Sequence, residues 1–145
     1  MVRASERLKL LDAHDALVLL RASFSAPKLL HIMRAALCAG HPSLLSFDLL
    51  TRQSLCHLSN TFLSDTQWLQ ASMPVSYGGL GLRRVASLAP SAFLASAAST
   101  RVLQDSILAN CGIVADASRD KTLAIWSTAS GCPGIDGPDA FKQRS

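Results

Sequence analysis

Residues 73–84, "MPVSYGGLGLRR", set Pro74, Gly78, Gly79 and Gly81 beside Arg83 and Arg84 in a chain otherwise rich in Leu and Ala. Glycine lets a backbone approach a ligand closely, and a guanidinium pairs with phosphate oxygens. The combination suits a phosphate cradle; it suits a structural turn equally well. Two nucleotide-loop patterns fail here. A P-loop requires G-x-x-x-x-G-K-[ST] after a strand, and Arg83-Arg84 stand where Lys-Ser/Thr would. Counted from Gly79, the third glycine of G-x-G-x-x-G is replaced by Arg84. Two readings stay open: a sequence-independent phosphodiester contact through exposed amides and arginines, or a plain connector.

Other chemistry finds little support. Cys38 and His41 are separated by two residues, and Cys56 and His57 follow. Adjacent helical side chains point about 100° apart and do not share one ion easily, and a structural zinc site needs four convergent ligands. No metal or cofactor is therefore expected. No G-x-S-x-G elbow is present, His14 reads as a helix-surface residue, and the acids are too dispersed for paired-carboxylate chemistry. The four cysteines have no framework spacing and read as reduced thiols.

These residues must be held by helices. Half of the 145 residues are apolar, and Leu and Ala dominate over aromatic and β-branched types. Residues 1–101 carry ten Lys/Arg against five Asp/Glu, and residues 102–145 carry four against five. A mildly basic first part is compatible with a nucleic-acid partner or with ordinary surface charge. The apolar spacing predicts a first helical unit over 5–24, capped by Ser5, with a break possible near Asp12. Its stripe is Leu10, Ala13, Leu17, Leu20 and Phe24. Pro27 opens a second helix with Leu29, Ile32, Met33 and Ala36 on one face, and Gly40 ends it. Pro42 opens a third, with Leu44, Phe47, Leu55, Leu58 and Phe62 clustered and Leu45, Leu49 and Cys56 extending the arc. Asp48 and Arg52 fall inside that arc, and their i,i+4 spacing predicts a mutual ion pair, since an unpaired buried charge is costly. Asp65 caps a short helix. Beyond the connector at 73–84, helix resumes with Pro90 restarting or kinking it and Ala92, Ala95, Ser96 and Ser99 permitting close packing. Gly112 ends that helix, and Ser118 caps a last short one. The tail, rich in Gly, Pro and Asp, is expected to be disordered. The whole is an all-α fold of about five helices in an irregular bundle. Three stretches follow: 1–62 as a helical bundle, 63–112 as connector and helical hairpin, and 113–145 as short helix and tail. No uninterrupted apolar run reaches the roughly 18 residues that span a bilayer, and the start shows no signal-peptide core. A soluble, intracellular chain is expected, in cytoplasm or nucleus.

Four segments, "HDALVLLRASFSAPKLLHIMRAA" (14–36), "FDLLTRQSLCHLSN" (47–60), "WLQASMPVSYGGLGLRR" (68–84) and "SAFLAS" (91–96), occur in an order that resembles the region downstream of the catalytic palm in reverse transcriptases of non-LTR (LINE-type) retrotransposons. The resemblance covers about residues 5–110, and its most specific part is W-x-Q-A-x-x-P-V-x-x-G-G-L-G-L-R. It implies a polymerase thumb and connector, a helical bundle that grips a primer–template duplex by its backbone. Lys28, Arg34, Arg83 and Arg84 then become candidates for phosphate contact, salt-sensitive and indifferent to sequence. The resemblance also names the palm of the same polyprotein as a partner. The family's Tyr/Phe-x-Asp-Asp signature is missing: the chain has no Asp-Asp pair, and Tyr77, its single tyrosine, lies in the glycine segment. A two-metal polymerase site cannot be assembled from it. The expectation is a noncatalytic polymerase fragment, Met1 being an arbitrary start, with nucleic-acid backbone as partner and neither membrane nor small-molecule substrate. The competing expectation is a helical protein-interaction module whose Leu/Ala faces bind a partner.

Overall fold

A helix forms wherever one side of the chain can be apolar at a period of 3.6, and the computed structural model, which describes residues 2–108 and 116–131, is helical nearly throughout, with no strand among those residues. The elements are α1 (Val2–Leu8), α2 (Ala13–Leu19) running into a π-helical turn (Leu20–Phe24), α3 (Ala26–Ala35), α4 (Pro42–Ser59), α5 (Asp65–Ser72), a 3-10 turn (Val75–Tyr77), α6 (Val85–Leu108) and α7 (Ala117–Ser130). The expected all-α bundle is the observed one. The expectations for Gly112 and for the tail beyond Gly131 fall outside the described residues.

The chain divides into two units that are discontinuous in sequence, unlike the three consecutive stretches expected. The first is Met1–Leu29 with His41–Ala86; the second is Leu30–Gly40 with the described part of Ser87–Ser145. In the first unit a core forms from Leu8, Ala16, Leu20, Leu55, Trp68, Ala71 and Leu82, with Leu17, Phe24, Leu58 and Leu63 against it. In the second unit Met33, Ala89, Ala92 and Leu94 are buried, and α6 runs through Pro90 without ending.

Several local expectations need correction. The chain leaves helix after Leu8, so Leu10 sits in the α1–α2 turn and is 84% exposed rather than on the stripe. Ser5 lies within α1 and bonds Ser54 Oγ of α4 at 2.7 Å instead of capping. Ala35 ends α3 before Gly40, and Ile32 faces outward while Met33 is buried. Asn60 takes the left-handed conformation that closes α4, so Phe62 lies past the helix and is 98% exposed. Leu45 and Leu49 are exposed too. Ser64, not Asp65, caps α5, in a reciprocal capping box with Gln67. Asp116, not Ser118, caps α7 by accepting from the Ser118 and Arg119 amides.

The membrane expectation counted unbroken apolar residues; the helical stretch Ala13–Ala35, 23 residues long, also holds an 18-residue window of mean hydropathy 1.3, long and apolar enough to cross a membrane by length and composition alone. Only 28% of its most apolar window is buried inside the fold.

Candidate functional site

The connector is built by glycine chemistry acting on the end of α5. Met73 and Pro74 leave the helix extended, a 3-10 turn follows, and Gly78 reverses the chain at φ +77°. The returning amides of Leu80 and Leu82 donate to Ala71 O, and that of Gly81 donates to Met73 O at 2.9 Å. These bonds occupy the carbonyls that a helix C-terminus leaves unpaired. A Cβ on Gly79 would sit 2.1 Å from Met73 O and 2.5 Å from its carbonyl carbon, so no side chain fits. Gly81, at φ +74°, is reached by the Arg21 side chain, whose Nε lies 3.0 Å from the place a Cβ would occupy. Pro74 and the three glycines therefore make a fixed turn, the amides of Gly78, Gly79 and Gly81 spent on the carbonyls of Val75, Pro74 and Met73 and those of Leu80 and Leu82 on Ala71 of α5 rather than held open for a ligand.

The two arginines after the turn diverge. Arg83 is exposed, and its amide donates to Gly81 O at 3.1 Å. Arg84 is half-buried; its Nε finds no hydrogen-bond partner, and its charge acts on Asp48. Sequence reasoning missed Arg21, which comes from the π-helical turn and reaches Gly81 with its side chain. Nothing in its own spacing marks it, because the contact depends on how α2 meets the connector. Of the other phosphate-contact candidates, Lys28 is exposed and stands over the Phe24 ring at 5.6 Å. Arg34 belongs to the second unit, where it borders a cleft with Phe93, Ser96, Thr100 and Asp116.

The expected Asp48–Arg52 pair does not form. Asp48 is buried, and its Oδ1 accepts the Val85 amide at 2.8 Å while Oδ2 accepts the Ala86 amide at 3.1 Å. The side chain of α4 thus caps α6. Arg52 turns the other way: Nη1 donates to Asp65 Oδ1 at 2.7 Å and Nη2 donates to Leu63 O. Each charge has a better partner than the other. Asp48 meets two free amides with the positive end of a helix dipole behind them, and the Arg52 fork matches a carboxylate plus a carbonyl. Burial pushes the Asp48 carboxyl above its ordinary value, opposed by the two amide bonds and by Arg84.

Cys38 is half-buried, and burial raises its thiol pKa, which disfavours the nucleophilic thiolate. His41 spends Nδ1 on the Ser43 amide at 3.2 Å as the cap of α4. Among the described residues no three His, Cys, Asp or Glu converge as metal ligands.

No family model, no curated protein and no solved structure matches the chain.

Proposed function

We propose that this chain is a noncatalytic piece of a retroelement reverse transcriptase, from the thumb and connector downstream of the palm, whose remaining activity is sequence-independent binding of a nucleic-acid backbone. The observation that supports it is a pair of exposed arginines around one fixed turn: Arg21 reaches Gly81 with its side chain from the π-helical turn, and Arg83 follows Gly81 in the chain with its amide on the Gly81 carbonyl. Two arginines at a rigid turn suit phosphodiester oxygens, which offer charge and geometry but no sequence. Arg84 is half-buried, and its charge acts on Asp48. The missing Asp-Asp pair removes the polymerase chemistry itself. An intracellular location, in cytoplasm or nucleus, goes with this reading, and so does the palm of the parent polyprotein as a partner.

Titration of the protein with a primer–template duplex at low and at physiological salt tests the reading. Binding that weakens steeply with salt is expected, and absence of binding at low salt sinks it. Primer extension with magnesium is expected to give no product.

A second reading has its own observation. Val102, Leu103, Ile107 and Leu108 are all more than half exposed on the last two turns of α6. Leu103 and Ile107, four apart, share one exposed apolar face, which suits a helical protein partner. Self-association that is lost in Leu103→Lys, with duplex binding unchanged, would favour it.

A further inference from the structure

The first unit holds a hollow of about 490 Å³ beside α1, away from the chemistry assigned to the glycine turn. Its lining includes Arg3 and Arg7 from α1, Lys28 from α3, and apolar Leu11, Leu19 and Phe24, with no carboxylate among the lining residues. Arg3 and Arg7 are four apart on one helix face, where like charges repel. Glu6, the acid of α1, is taken up by Lys9 at 3.0 Å. Lys28 is held over Phe24 at 5.6 Å, so its ammonium stands at the apolar wall. Leu11 and Leu19 remain 45% and 38% exposed, an apolar surface left uncovered in a hollow that three cationic residues also line.

From this we infer that the hollow binds a single anionic amphiphile, an aliphatic chain ending in a carboxylate or phosphate. The anionic head takes Arg3, Arg7 and Lys28, relieving their repulsion through charge-assisted hydrogen bonds. The chain covers Leu11, Leu19 and Phe24. A volume in the range of small-ligand pockets fits one such molecule. Charge complementarity selects the anion, and the apolar wall selects the tail over a bare phosphate. The inference departs from the sequence expectation of no small-molecule partner. The site is separate from the proposed backbone contact at Gly81 and stands without it.

Calorimetric titration of the whole chain with decanoate below its micelle concentration tests the site, against decyltrimethylammonium and inorganic phosphate. Single-site saturation by decanoate is expected, with each of the other two ligands at least about tenfold weaker. Arg7→Gln and Lys28→Gln, checked for unchanged helical circular dichroism, are each expected to weaken decanoate about tenfold, the worth of one charged hydrogen bond. Vesicles with and without phosphatidylglycerol form the other arm. Equal binding of both head-group charges overturns the inference, as does saturation by phosphate alone. Binding to anionic vesicles without binding of monomeric decanoate overturns it too, because that result describes surface adsorption.

Discussion

Asp48 caps a helix that begins 37 residues later: its Oδ1 holds the Val85 amide at 2.8 Å, and Oδ2 holds that of Ala86 at 3.1 Å. One buried carboxylate thereby fixes where α6 starts, directly behind Arg83 and Arg84. Asp48→Asn keeps one acceptor oxygen and is expected to cost about 1 kcal/mol. Asp48→Ala leaves both amides unpaired and is expected to cost about 2–3 kcal/mol. Urea unfolding followed by helical circular dichroism measures both.

The same carboxylate gives a pH signature. Burial raises its pKa in the folded chain above the ordinary 3.8, more than the amide bonds and Arg84 lower it. Between those two values the folded state binds more protons than the unfolded state, so the contribution of Asp48 to stability falls as pH rises through that window. Asp48→Asn is expected to remove this component. Unfolding free energies of the parent and variant, compared across the acidic range, show it as a difference that changes with pH. A constant difference contradicts it.

Gly78 and Gly79 are neighbours with different reasons to be glycine. Gly78 has a positive φ and open space around it, so Gly78→Ala is expected to cost about 1 kcal/mol of backbone strain. Gly79→Ala drives a methyl group into the Met73 carbonyl, backbone that cannot rotate away, and is expected to cost about 3 kcal/mol or more. Thermal unfolding of the two variants ranks them.

Arg52 bridges the α4–α5 turn through one exposed acid and one backbone carbonyl. Its pair with Asp65, whose side chain is 95% exposed, is worth little in water. Asp65→Asn is therefore expected to cost under about 0.5 kcal/mol, while Arg52→Ala, which also abandons the Leu63 carbonyl, is expected to cost about 1–2 kcal/mol. Urea midpoints distinguish the two.

What could be read from the sequence was the part governed by local rules. Pro42 at the start of α4, helix within residues 26–35, and the helical class itself follow from spacing, proline and propensity. Leu44, Phe47 and Leu55 are buried as their arc required. The misreadings came where a residue had a choice of partners. Asp48 and Arg52 have the right spacing for each other, but i,i+4 geometry says nothing of the Val85 and Ala86 amides arriving from far along the chain or of Leu63 folding back. Caps were misplaced by one or two residues, at Ser64 and Asp116, because several cap-competent side chains stand in a row. Arg21 was invisible as part of the turn, since only tertiary packing brings it to Gly81. Arg3 lies outside the helix expected from residue 5, so neither its i,i+4 placement with Arg7 on α1 nor the apolar wall that Phe24 and Leu19 add was legible.

The most direct measurement for the backbone-binding account is the slope of log affinity against log salt for a primer–template duplex, in the parent chain and in the Arg21→Gln/Arg83→Gln double variant. Each phosphate contact contributes about 0.9 to that slope. The account expects salt-sensitive binding by the parent and a slope reduced by about 1–2 in the variant, with affinity lowered for every sequence alike. Identical affinity and slope for parent and variant, or no duplex binding at low salt, contradict it.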